Sequence, residues 1–162
     1  MKNKIYKSFT GTVMLIALFT TVGCKKYTEV EPVSQYSIPQ VFSDVSNATT
    51  ALVGVYDELQ GDNGYGIRIS MYYPYDSDEG IVSGNIDNGR RGVGRYQLLL
   101  TNSEIANPFG QWYRGVEKAN LCIEQIPLMP QYTSGSATDQ AILKRLHGEA
   151  LTLRAQFLFQ LM

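Results

Sequence analysis

Apolar side chains return along this chain in three helical rhythms, with a long arrhythmic stretch between the first and the second. After Ser43, a capping side chain ahead of Asp44, residues Ala48, Ala51, Leu52, Val55, Tyr56 and Leu59 recur at three- and four-residue spacing. That spacing predicts an amphipathic helix, ended by Gly61 and Gly64. The second rhythm follows Asn107-Pro108, a pair suited to a cap and a proline at the first helical position. Phe109, Trp112, Tyr113, Val116, Ala119, Asn120, Ile123 and Ile126 then lie on one broad face, and Pro127 and Pro130 close the element. Beyond a Ser- and Gly-rich linker from Gln131 to Ala137, Thr138 or Asp139 can cap a last helix. It carries Ile142, Leu146, Ala150, Leu153, Phe157 and Leu161 on one stripe.

The last helix has a second apolar side, because Leu151, Leu158 and Phe159 leave almost no polar face after Arg154. A helix that is apolar all round calls for burial. At about 25 cal/mol per Å² of apolar area, leaving several such side chains wet forgoes several kcal/mol, comparable with a small domain's whole stability. The pattern therefore predicts that this chain is the N-terminal part of a longer protein.

Residues 61–106 hold glycines at 61, 64, 66, 80, 84, 89, 92 and 94 and tyrosines at 65, 72, 73, 75 and 96, with no sustained helical period. The expectation is a long, loop-rich excursion, with Gly66 to Tyr73 as its one candidate strand; so long a stretch of this kind is either functional or poorly ordered.

The beginning of the chain follows a different logic. Lys2, Lys4 and Lys7 precede an apolar run from Val13 to Phe19, and Thr20-Thr21-Val22-Gly23 leads in small steps to Cys24. This is the order of a secretory signal, too short and interrupted to cross a bilayer of roughly 20 helical residues. It looks like a bacterial lipoprotein signal, with cleavage after residue 23 and a diacylglycerol thioether on Cys24. Residues 24–40 then read as an extended tether carrying Glu29, Glu31, Pro32 and Pro39, and residues 41–162 as the folded part.

Removing residues 1–23 takes three of the 14 basic residues and none of the 15 acidic ones, leaving 11 against 15 and a formal charge of −4. That balance disfavours a nucleic-acid partner. The chain has two cysteines; with Cys24 lipidated, Cys122 has no intrachain partner and is expected as an inert buried thiol. His147 is the one histidine, so no histidine metal site is expected, and no cofactor is implied.

Several of these pieces resemble a known family when taken in order. The lipoprotein cysteine and tether are followed by Phe42, Asn47-Ala48 and Ala51-Leu52-Val53-Gly54-Val55-Tyr56. Trp112-Tyr113 with Ala119-Asn120 and Ile123 comes next, then Gly148-Glu149-Ala150 with Leu153-Arg154-Ala155 and Phe157. Together they resemble the N-terminal region of the SusD/RagB family. The resemblance implies a mainly α fold, the N-terminal portion of a tetratricopeptide-like helical superhelix of SusD type with a long loop-rich insertion. It also implies a surface-exposed outer-membrane lipoprotein that binds glycans or other nutrients, acts as a lid on a SusC-like TonB-dependent transporter and catalyses nothing. Family members are several times longer than this chain.

The candidate ligand site is Tyr72-Tyr73-Pro74-Tyr75-Asp76-Ser77-Asp78-Glu79, because aromatic rings stack on the C–H faces of sugars and carboxylates accept from their hydroxyls. The competing reading has the tyrosines pinning a loop and Asp76 and Asp78 forming turns. Asp76, Asp78 and Glu79 also admit a glycosidase acid/base pair, but sequence alone supplies no spacing between carboxyls, and the calcium-loop pattern is not met. Gly89-Arg90-Arg91-Gly92-Val93-Gly94-Arg95 lacks the ending of a phosphate-binding loop. It reads as a loop tip whose arginines pair with the acidic stretch, with Arg90 or Arg95 able to donate to a sugar. Trp112 and Tyr113 are expected in the core, Asn120 on a neighbouring backbone group, and Glu149 with Arg154 in a buried polar network. The rival functional classes are a fragment of a surface glycoside hydrolase and a helical-repeat scaffold without a ligand.

Overall fold

Helix starts are set by side chains that accept from the first free amides, and here they fix where each rhythm becomes structure. The computed structural model describes residues 36–75, 77–80, 82–85, 89–97, 99 and 101–162, with Tyr72, Tyr73 and Tyr75 described in backbone only. Helix α1, Ile38–Val41, is a single turn in which Gln40 Oε1 accepts from the Ser37 amide at 2.8 Å. The last residues of the expected tether thus form helix. Helix α2, Val45–Tyr56, is capped by Asp44 rather than Ser43: the Asp44 carboxylate accepts from the Asn47 amide at 2.8 Å. A 3₁₀ turn, Asp57–Leu59, tightens its end.

Ala48, Leu52 and Val55 face inward from α2, as their spacing predicts. Helix α3, Arg68–Tyr75, and the one-turn α4, Arg90–Val93, follow within the glycine-rich stretch. The candidate strand at Gly66 to Tyr73 is therefore helical over most of its length, and no strand occurs among the described residues.

Helix α5, Ser103–Gln125, starts earlier than Asn107-Pro108 suggests. Its cap is Asn102, whose side-chain oxygen accepts from the Glu104 amide at 2.9 Å, so Pro108 sits inside the helix. The proline has no amide proton for the carbonyl four residues back, a loss the early cap and the buried face outweigh. Pro108, Gln111, Trp112, Gly115, Ala119 and Cys122 form the buried side of α5. After a 3₁₀ turn at Ile126–Leu128 and the short α6, Pro130–Ser134, Ser136 caps α7, Ala137–Leu161, by accepting from the Asp139 amide at 3.1 Å. The linker expected at 131–137 is thus largely helical, and the cap falls two residues before Thr138.

Residues Ser37–Met162 form one compact unit. Within it α5 and α7 pack along their lengths, and α2 lies against both. The Trp112 and Phe157 rings, 5.6 Å apart between centroids, sit at the centre with Leu52, Ile126, Leu143 and Leu146. Gly115 lets the two helices close: a Cβ there would stand 2.7 Å from the Phe157 ring. On α7 the predicted stripe faces inward, with Ile142 and Leu161 partly buried at its ends, and the second apolar side faces out. Leu146, Ala150, Leu153 and Phe157 are buried, whereas Leu151, Leu158 and Phe159 are exposed. The mainly α class is what the chain adopts.

Candidate functional site

Two polar side chains at the start of α5, one buried and one partly buried, gather described parts of the glycine-rich stretch. Asn102, 1% exposed, donates from Nδ2 to the Gly89 carbonyl while its oxygen caps α5. Glu104 collects two cations: Arg68 Nε lies 3.1 Å from its Oε2 and Arg90 Nε 3.5 Å from the same atom. Arg68 also donates to Asn63 Oδ1 at 2.6 Å, tying the turn after α2 into the same cluster. Glu104, with its side chain 12% exposed, is therefore the hub that sequence reading missed. Its signal was its place two residues after an asparagine cap, where an acid also favours the helix dipole.

Of the candidate residues, Arg90 meets this hub among the described residues. Arg90 turns toward Glu104 and keeps its side chain half exposed. Arg95 donates from Nη2 to the carbonyls of Val82 and Gly84 at 3.3 and 3.4 Å. Among the described residues these contacts, and not pairs with Asp78 or Glu79, are what Arg90 and Arg95 make. Each guanidinium carries five N–H donors. Asp78 and Glu79 are exposed in a turn held by Ser77, whose hydroxyl donates to the Pro74 carbonyl and accepts from the Glu79 amide. Tyr72, Tyr73 and Tyr75 fall on α3, and Asp76 and Cys24 lie outside the described residues. Among the described residues no group of three or more His, Cys, Asp or Glu side chains is placed to hold a metal ion.

The residues singled out for packing separate sharply. Trp112 is 2% exposed, in contact with the rings of Tyr65 and Phe157. Tyr113, 53% exposed, is turned outward one helical step away and stacks obliquely on Phe109 at 4.8 Å. Asn120 accepts from Arg154 Nη1 at 3.1 Å, a bridge from α5 to α7 made at the surface, not a contact to backbone. Glu149 pairs with Arg145 and accepts from the Tyr56 hydroxyl at 3.2 Å. The expected buried Glu149–Arg154 network is thus two separate surface contacts, because residues five apart on a helix point to different sides. Partial burial, and then the Glu149 carboxylate, raise the Tyr56 phenol above its ordinary range.

A concavity of about 430 Å³ opens where α2 ends, lined by Asp57, Glu58, Gln60, Gly61, Gln111 and Arg114. Gln111, 7% exposed, donates both amide protons to backbone, to Glu58 O at 2.7 Å and Gln60 O at 2.8 Å. This clamp turns the chain off the 3₁₀ turn into Gly61, whose φ of +77° suits a residue without a Cβ. Glu58 is held by Lys118 at 2.6 Å, with Arg114 standing off at 3.7 Å. Apart from Gly61, read as a helix end, none of these residues was picked out from sequence. Gln111 had a legible signal, its place in the row 108, 111, 115, 119 and 122 that otherwise reads as packed face.

The chain is similar to a protein named SusD-like protein P38 from Formosa agariphila, with 29% identity over 159 residues. The aligned part covers 94% of this chain and 28% of that protein, so the chain spans under a third of this relative's length. The match supports a relationship to the SusD family. No protein-family model matches the chain, and no solved structure matches it. Among the described residues no helix is long and apolar enough to cross a membrane.

Proposed function

We propose that the protein is an outer-membrane lipoprotein, anchored through Cys24, that binds an oligosaccharide or similar nutrient and passes it to a SusC-like TonB-dependent transporter. The observation that carries this reading is an alignment running along almost the whole chain with a protein named SusD-like. The order of basic, apolar and small residues before Cys24 supports the anchor, and the all-helical scaffold of the described residues supports the fold the reading requires. Tyr72, Tyr73, Tyr75, Asp76, Asp78, Arg90 and Arg95 are the ligand-facing candidates. They would act by ring stacking and hydrogen bonding without bond cleavage.

Retention of the full-length protein on a panel of immobilised oligosaccharides tests the binding claim. At least one glycan should hold the protein, and Tyr75→Ala should release it. Absence of retention on every glycan, or release of cleavage products that Asp78→Asn abolishes, would sink the reading. Cell fractionation tests the anchor, since Cys24→Ala should move the protein out of the membrane fraction or leave an uncleaved precursor.

A further inference from the structure

The geometry points to the concavity at the end of α2 as a second binding site, one that takes a single neutral sugar residue by its hydroxyl edge. This inference rests on the glycan-binding reading and adds to it a place and a binding mode. Among the described residues that line it none is aromatic or aliphatic, so they offer nothing to stack on a ring face. What it offers is an array of mixed hydrogen-bonding groups around an open space of about 430 Å³.

The charges there decide the class of ligand. Lys118 neutralises Glu58 at 2.6 Å, and the two amide protons of Gln111 are spent on backbone carbonyls. Gln60 donates to Asp57 Oδ1, which leaves the second Asp57 oxygen to accept. Arg114 approaches Glu58 only to 3.7 Å with its side chain 55% exposed, and it has N–H donors to spare. One remaining anion and one remaining cation cancel, so the site favours no net charge. Acceptors at Asp57 and Gln111 set beside donors at Arg114 suit vicinal hydroxyls, each of which both gives and accepts.

Side-chain ¹⁵N NMR of the full-length protein reads this site directly, through the Gln60 and Gln111 amides and Arg114 Nε. The probes are methyl β-D-glucopyranoside, methyl β-D-galactopyranoside and glycine. One glycoside should shift these resonances, and Arg114→Ala should weaken that binding by at least about tenfold, the loss of a hydrogen bond to a charged group. Arg114 is half exposed and outside the packed face, so the variant should keep the helical circular dichroism of the parent, and Asp57→Asn gives an independent check. The inference is overturned if neither glycoside shifts the resonances, if glycine alone does, or if Arg114→Ala and Asp57→Asn both bind as the parent does. Glycan retention left intact in Arg114→Ala, with no shift at Gln60 or Gln111, would remove this site while leaving the general glycan-binding reading in place.

Discussion

The helical core and the glycine-rich stretch obey different rules of assembly. In the core, α2, α5 and α7 meet through apolar surfaces, with Trp112, Phe157, Leu143 and Leu146 almost fully removed from water. Between Gly61 and Asn102, apart from Tyr65 and Ile69 which pack on that core, the described residues are gathered by polar side chains, with Glu104 drawing in Arg68 and Arg90 and Asn102 reaching the Gly89 carbonyl. Apolar packing is cooperative and insensitive to salt, whereas ion pairs and side-chain-to-backbone bonds are local and screened. The comparison teaches that one compact unit can join a scaffold held by apolar packing to a region held mainly by polar contacts.

The largest break in this comparison is expected from Trp112→Ala, because Trp112 touches both regions through Phe157 and Tyr65. Truncating a buried aromatic costs about 3–5 kcal/mol, and urea unfolding should show it as a much earlier midpoint. Gly115→Ala tests the scaffold alone. The new methyl collides with the Phe157 ring and should cost about 1–3 kcal/mol, relieved in the Gly115→Ala, Phe157→Leu double variant. Glu104→Gln tests the other region: it leaves two arginines without their anion. Amide hydrogen exchange should then speed up around Gly92 and Asn102, with the α5–α7 core unchanged. Equal loss of protection in both regions would contradict their independence.

A smaller effect follows from the thiol. Burial pushes Cys122 up to about 11 from its ordinary value near 9. The folded state therefore holds its proton more tightly than the unfolded chain. Its contribution is fully present below the unfolded value and falls away as pH rises through about 9 to 11, where the folded protein must also ionise. Unfolding midpoints should decline over that window in the parent and less in Cys122→Ala, compared at equal starting stability. The smallest change runs in the opposite direction: Gly148→Ala on α7 meets nothing within 4 Å and should stabilise by about 0.5–1 kcal/mol.

Helix identity was legible because the scaffold is built on periodic burial, and Leu52, Val55, Trp112, Leu146 and Phe157 all face inward as their spacing indicates. Helix boundaries were less so. Asn107-Pro108 carries a strong local start signal, yet the buried cap at Asn102 overrides it, since satisfying an amide in the interior outweighs the cost of an internal proline. Tyr113 misled because it neighbours Trp112 in sequence, while a step of one residue on a helix turns a side chain about 100° away. The exposed Leu151, Leu158 and Phe159 on α7 were visible in advance as a second apolar face. The pocket residues stayed hidden because polar groups at packed positions have no period of their own; their role depends on which carbonyl stands opposite, as with Gln111 and the end of the 3₁₀ turn.

Tyr65 carries a consequence for the order of events during synthesis. Its hydroxyl accepts from Gln156 and Gln160, partners 91 and 95 positions further along the polypeptide. Closing so distant a contact has an entropic cost that local helices avoid. The ring can meet Trp112 earlier, but its hydroxyl must wait for its partners until the residues around Gln160 have left the ribosome, so the turn that bears it should gain its full resistance to a protease late in synthesis.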